Sequence, residues 1–143
     1  ERYDFGLDAA ADASNTCCPR WFGPGGIEED ALDAGLWWPD YSRGKAIWCN
    51  PSYSQWSTFA QMAAEVQGAI VVMLLASRTD TKGFHDYIFD KASEIFFIKG
   101  RLKFGGAGDI ANSAPFPSMI VVWRPGWRHP TMFGAMSRDG AYL

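Results

Sequence analysis

The sequence contains no apolar run approaching the ~18 residues that a membrane-spanning helix requires. Its longest, Ala69 to Ala76, has the length of a strand. The opening residues do not read as a signal peptide, and neither an internal repeat nor a low-complexity segment occurs. Cysteine is scarce and odd in number: Cys17, Cys18 and Cys49, two of them adjacent, cannot make a disulfide framework. A reducing compartment is the simpler setting. With only His85 and His129 beside them, the ligand spacing of a structural zinc site is missing, so no metal is expected. A large excess of charge of one sign is also lacking. Thirteen basic against sixteen acidic side chains leave a net −3, so no basic field advertises nucleic acid. A local patch can still act inside an acidic total. The first residue is Glu1 rather than methionine, which reads as a processed or partial chain.

What is present suffices for one domain over residues 1–143. Hydrophobic residues make up 48% and aromatics 15%, enough for a sizeable core and too much for a disordered chain. "YDFGLDAAA" predicts a short strand with Asp8 at its end, and the glycine- and proline-rich "NTCCPRWFGPGG" predicts a loop. "IEEDALDAGLWW" is compatible with one helical turn or a weak strand. "KAIWC" predicts a strand. The spacing of Trp56, Phe59, Ala60, Ala63 and Val66 predicts a helix over 55–67 that starts near Ser54 and is ended by Gly68. "AIVVMLLAS" predicts a strand covered on both faces, and "TDTKGFHDYIFDKAS" a second helix. Strands follow at "EIFFIKG", "RLKFGG" and "SMIVVWRP"; the tail beyond shows no strong period. The alternation predicts an α/β fold with a mainly parallel sheet, its last two strands pairing antiparallel because no helix separates them.

One stretch carries chemistry. "IWCNPSYS" ends a buried strand in Asn50, Pro51, Ser52 and Tyr53. In open α/β sheets ligands bind beyond the carboxyl ends of strands, where Asp8 is also expected. Proline fixes its own φ and disfavours helix for its predecessor, so Asn50 is held extended with its polar groups turned outward. A side-chain amide oxygen and a backbone carbonyl can accept both hydrogens of an exocyclic amine such as adenine N6. That frees a lone pair otherwise delocalised into the ring, while a tyrosine stacks on the extruded base. The simpler reading of the same residues is a loop before a helix, with Ser54 as N-cap.

"NPSY" resembles the [DN]-P-P-[YFW] motif of S-adenosylmethionine-dependent amino-methyltransferases. "FGLDAAAD", "EEDAL", "IWCNPSYS", "VVMLLASRTDTKGFHDYIF", "EIFFIKGRLKF" and "APFPSMIVVW" resemble, in order and spacing, the phage-type DNA N6-adenine methyltransferases (Dam-like) over most of Phe5 to Trp123. The resemblance implies a Rossmann-like methyltransferase fold with an antiparallel C-terminal hairpin, in a sequence that starts too late to show the "TP"-containing segment the family usually has before its first strand. It implies transfer of a methyl group from S-adenosylmethionine to adenine N6 in double-stranded DNA, in the cytoplasm, a bacterial host's if the protein is phage-encoded. Asn50, Pro51, Ser52 and Tyr53 would receive the adenine; Phe5, Asp8, Ala9, Ala10 and Asp30 would meet the cofactor. Ser52 stands where the family has a second proline, which loosens the turn and adds a hydroxyl. Two other functions stay open: a methyltransferase-fold binding module without activity, and methylation of RNA or of a protein glutamine.

Further residues carry double readings. Asp8 could cap a helix starting at Ala9, and Asp30 could belong to a solvated acidic face with Glu28, Glu29 and Asp33. Arg78, Asp80 and His85 follow a buried strand and are candidates for DNA contact; alternatively Arg78 pairs with Asp80, Thr79 or Asp80 caps the helix, and His85 sits in the core. Lys99, Arg101 and Lys103 would project from one face of a strand and, with Arg124, Arg128 and His129, form a phosphate-contacting patch, or merely protect an edge. Trp37, Trp38, Trp123 and Trp127 read as packing residues, and the loop from Gly105 to Pro117 as a source of DNA sequence specificity.

Overall fold

The computed structural model describes residues 3–34, 37–103 and 114–143. Strand β1 (Phe5–Asp8) leads through a long loop to two short helices, α1 (Ala31–Ala34) and α2 (Trp38–Ser42). Then come β2 (Ala46–Cys49), α3 (Trp56–Glu65), β3 (Val71–Ala76), α4 (Lys82–Tyr87), β4 (Glu94–Ile98), β5 (Ser118–Trp123) and β6 (Met132–Met136). All six strands form one sheet in the order β1-β2-β3-β5-β4-β6. Neighbours pair in parallel except around β5, which runs antiparallel to both β3 and β4. Five strands therefore share one direction, and their carboxyl ends make a single rim.

Burial explains why the central strands read as unbroken apolar runs. Val71, Val72 and Met73 follow one another along β3 and are all buried, so both faces of the sheet are covered. Gly83 shows how closely α4 approaches α3. A Cβ there would lie 2.8 Å from Cη2 of Trp56 and 3.1 Å from Cβ of Ser57.

Several expectations need correction. Helix α3 begins at Trp56 with Gln55 rather than Ser54 at its N-cap, and no side chain caps it. Helix α4 spans only Lys82–Tyr87, and its cap is Thr81, whose hydroxyl accepts from the Phe84 N–H. "RLKFGG" makes no strand among the described residues: β4 stops at Ile98, and Gly100, at φ +85°, turns the chain away. β4 and β5 do pair antiparallel, but β5 lies between β3 and β4 instead of forming a terminal hairpin. The sixth strand escaped notice because Met132 and Phe133 are mainly exposed on an edge, where alternation carries little burial signal.

Candidate active site

The register of β1, β2 and β3 sets Asp8 beside Trp48 and Cys49 beside Met73, so the segments leaving these strands emerge together. From β2 emerge Asn50, Pro51, Ser52 and Tyr53. Pro51 is buried, while Asn50, Ser52 and Tyr53 are exposed. A turn follows, closed by the Gln55 N–H donating to the Ser52 carbonyl at 3.2 Å, with the Ser52 hydroxyl 3.4 Å from that of Ser54. Serine at this position thus leaves the turn closed. Among the described residues, no hydrogen bond takes up the Asn50 side-chain amide or the Pro51 carbonyl.

Two cavities meet at this segment. A broad cleft of about 590 Å³ opens between it and the loops after β1, lined by Ala9, Ala10 and Asp30 and floored by Phe22 and Phe59. A narrow pocket on the other side lies against the end of β3, with Trp56, Arg78 and Phe116 in its wall and room of about 20 Å³. That is space for little more than one water molecule. Asn50, Pro51 and Tyr53 line both cavities. The Tyr53 ring meets Phe116 edge-on at 4.9 Å, and the Arg78 guanidinium lies over Phe116 at 5.8 Å.

Two of the residues expected to face the cofactor do not line the cleft. Phe5 sits at the opposite end of β1, packed between Tyr3 and Trp48 at ring separations of 5.8 and 5.9 Å. Asp8 is buried, and its carboxylate faces inward. One oxygen accepts from the Ala10 N–H at 3.3 Å and the other from the Cys17 N–H at 3.1 Å, so this acid shapes the loop behind Ala9 and Ala10. Asp30 is exposed and lines the cleft, and its carboxylate also accepts from the Leu32 N–H at 2.9 Å, capping α1, a role the sequence reading did not assign to it.

Sequence reasoning missed Phe22, Gly23 and Phe59 as cleft residues. For Gly23 the sequence offered only its place in a glycine- and proline-rich loop; in the fold its φ of +135° disfavours any side chain, and a Cβ there would lie 1.8 Å from the Ala11 carbonyl oxygen. Ala11 and Phe22 are joined there by a 3.0 Å backbone hydrogen bond. The three thiols nearby are not poised to react. Burial first, then the Asp8 charge, raises Cys17 and Cys49 above the ordinary thiol range, and burial raises Cys18.

Elsewhere the expected groups scatter. Asp80 and His85 line neither cavity. The His85 Nε2 lies 2.9 Å from the Thr79 carbonyl, joining α4 to the turn after β3, and no Arg78–Asp80 ion pair forms among the described residues. The supposed single basic patch is split. Lys99, Arg101 and Lys103 follow β4 onto the carboxyl-end rim, whereas Arg124, Arg128 and His129 follow the antiparallel β5 and lie at the opposite end of the sheet. Trp38 and Trp123 are buried, each indole N–H donating to a carbonyl, but Trp37 is exposed. Most of the loop from Gly105 to Pro117 lies outside the described residues, of which 114–117 remain.

The described residues include no helix long and apolar enough to cross a membrane. No curated protein matches the chain. Among solved structures, one described as a predicted O-methyltransferase from Agrobacterium tumefaciens aligns with a TM-score of 0.41 and 17% identity over 68% of this chain. The chain spans 46% of that protein's length. A family model described as DNA N-6-adenine-methyltransferase (Dam) matches residues 1–141, nearly the whole length, and the chain belongs to that family.

Proposed function

We propose that this chain transfers a methyl group from S-adenosylmethionine to N6 of adenine in double-stranded DNA. The observation that carries the proposal is the wall shared by the two cavities. Asn50, Pro51 and Tyr53 line both, so a base on one side and a methyl donor on the other would meet at Asn50.

The broad cleft suits the donor. Its volume falls in the range of small-molecule sites, about 300–1,000 Å³. Ala9 and Ala10 leave room along one wall, Phe22 and Phe59 offer apolar surface, and Glu29 and Asp30 present carboxylates to hydroxyl and ammonium groups. No cationic side chain lines it among the described residues, which suits a positively charged ligand. Bound there, S-adenosylmethionine supplies an electrophilic methyl carbon on sulfonium sulfur.

On the other side Asn50 and Pro51 do the work. The Asn50 amide oxygen and the Pro51 carbonyl, both without a hydrogen-bond partner among the described residues, accept the two N6 hydrogens and favour a pyramidal nitrogen with an available lone pair. No general base is needed before attack, because the amine proton leaves after the nitrogen has become cationic. Tyr53 stacks on the extruded adenine. Since the narrow pocket holds about one water, the edge-on contact of Tyr53 with Phe116 must open to admit a base.

Incubation with methyl-labelled cofactor and unmethylated duplex DNA, followed by nucleoside analysis, tests the proposal. Label in N6-methyl-2′-deoxyadenosine is expected. Label in RNA or protein offered in parallel, with none in DNA, would refute DNA as the substrate, and absence of cofactor binding by calorimetry would favour a binding module.

A further inference from the structure

Charge is divided along this chain. Residues 1–42 carry nine acidic and two basic side chains, whereas residues 43–143 carry seven acidic and eleven basic. The sheet turns that order into space: β1, α1 and α2 belong to the first segment and lie toward one edge, while β4 and β6 occupy the other. On the carboxyl-end rim, the broad cleft is therefore acidic, and Lys99, Arg101 and Lys103 stand exposed beyond β4.

Pairing of β4 with β6 adds a cation that sequence reading did not single out. The Lys99 N–H donates to the Met136 carbonyl at 2.8 Å, so the two strands reach the rim together. Arg138 comes up beside Gly100, where a Cβ would lie 3.3 Å from Arg138 Cδ. The turn carrying it is held by the Ser137 N–H donating to the Ala141 carbonyl at 2.8 Å and by the Ser137 hydroxyl on Asp139. Lys45, Lys82 and Arg124 are committed to carboxylates; Lys99, Arg101, Lys103 and Arg138 form no ion pair among the described residues.

Strand spacing gives the scale. β4 and β6 lie three and four strands from β2, about 14 and 19 Å at ~4.8 Å each. That is comparable with the ~12 Å major groove that separates the two phosphate backbones of a duplex.

We propose that Lys99, Arg101, Lys103 and Arg138 form a clasp for DNA phosphates. The duplex then crosses the rim over β5, β4 and β6 and avoids the acidic β1 side. This inference rests on the function proposed above. Phosphate contacts of this kind fix the position of a duplex without reading its sequence.

The test measures binding of the full chain to a fluorescent adenine-containing duplex by anisotropy across a salt series, with methylation and cofactor binding followed in parallel. Arg138→Gln is expected to reduce the slope of log affinity against log salt by about 0.9, one lost phosphate contact. Arg138→Glu should reduce it further, on any duplex sequence, with cofactor affinity and melting temperature unchanged. Arg128→Gln, at the opposite end of the sheet, should leave the slope alone. An unchanged slope in both Arg138 variants, with wild-type methylation intact, would overturn the clasp and spare the proposed function. An equal reduction in Arg128→Gln would also overturn it. A wild-type chain that neither binds nor methylates DNA would overturn both.

Discussion

Gly83→Ala separates sequence reasoning from structure reasoning, because the two give opposite signs. Alanine is the better helix former by up to ~1 kcal/mol, so Gly83 in α4 looks like a position to improve. The added methyl group, however, would lie 2.8 Å from Trp56 Cη2, where carbon–carbon contacts are comfortable only beyond about 3.5 Å. The Trp56 ring is stiff, and Ser57 Cβ at 3.1 Å closes the other way out. Overpacking of this kind costs about 1–3 kcal/mol, which outweighs the propensity gain. For a domain of this size a net loss near 1 kcal/mol lowers Tm by about 3–5 °C. The effect should reach function as well, since Trp56 lines the narrow pocket. Thermal melts and urea titrations of Gly83→Ala, Trp56→Phe and the double variant would measure it. The double variant should be more stable than the two single losses predict, by about 0.5–3 kcal/mol of coupling. A rise in Tm for Gly83→Ala alone would refute the packing argument.

Other outcomes follow from the site. Asn50→Ala should lower methylation by about 10²–10³-fold, the usual loss for a preorganised polar group, while cofactor affinity measured by calorimetry stays near wild type. Tyr53→Ala should weaken duplex binding by about 1–3 kcal/mol through lost stacking, and Tyr53→Phe should restore it; anisotropy reads both. Asp8→Ala would leave the Ala10 and Cys17 N–H groups without their acceptor, and a loss of about 1–3 kcal/mol in urea titration is expected together with weaker cofactor binding. Burial, then the Asp8 charge, holds the Cys49 thiol protonated well above its ordinary value of 9.0. The folded chain therefore keeps a proton that the unfolded chain sheds, so stability is full below about pH 9 and declines as pH rises beyond it. Melts at rising pH should show a decline that Cys49→Ala reduces.

The strands that face two covering layers announced themselves, because burial on both faces makes β3 and, after Ser118, β5 continuously apolar. Asn50 to Tyr53 were legible for a different reason: proline after asparagine constrains the backbone locally, wherever the strand ends up. Phe5 and Asp8 show the limit. Both belong to β1, but strand polarity puts Phe5 at the far end, and the side chain of Asp8 turns inward to bind two N–H groups. No local pattern distinguishes a carboxylate facing a cleft from one facing a loop.

By itself the sequence determined the strand–helix alternation, the buried central strands and the segment that ends β2, since these depend on periodicity and on backbone restrictions within a few residues. Only the tertiary structure decided that β5 inserts between β3 and β4, that Phe22 and Phe59 floor one cleft, and that Arg138 joins Lys99 while Arg128 does not. Those facts depend on which distant segments become neighbours, and that is set by the register and direction of strands whose own residues look alike.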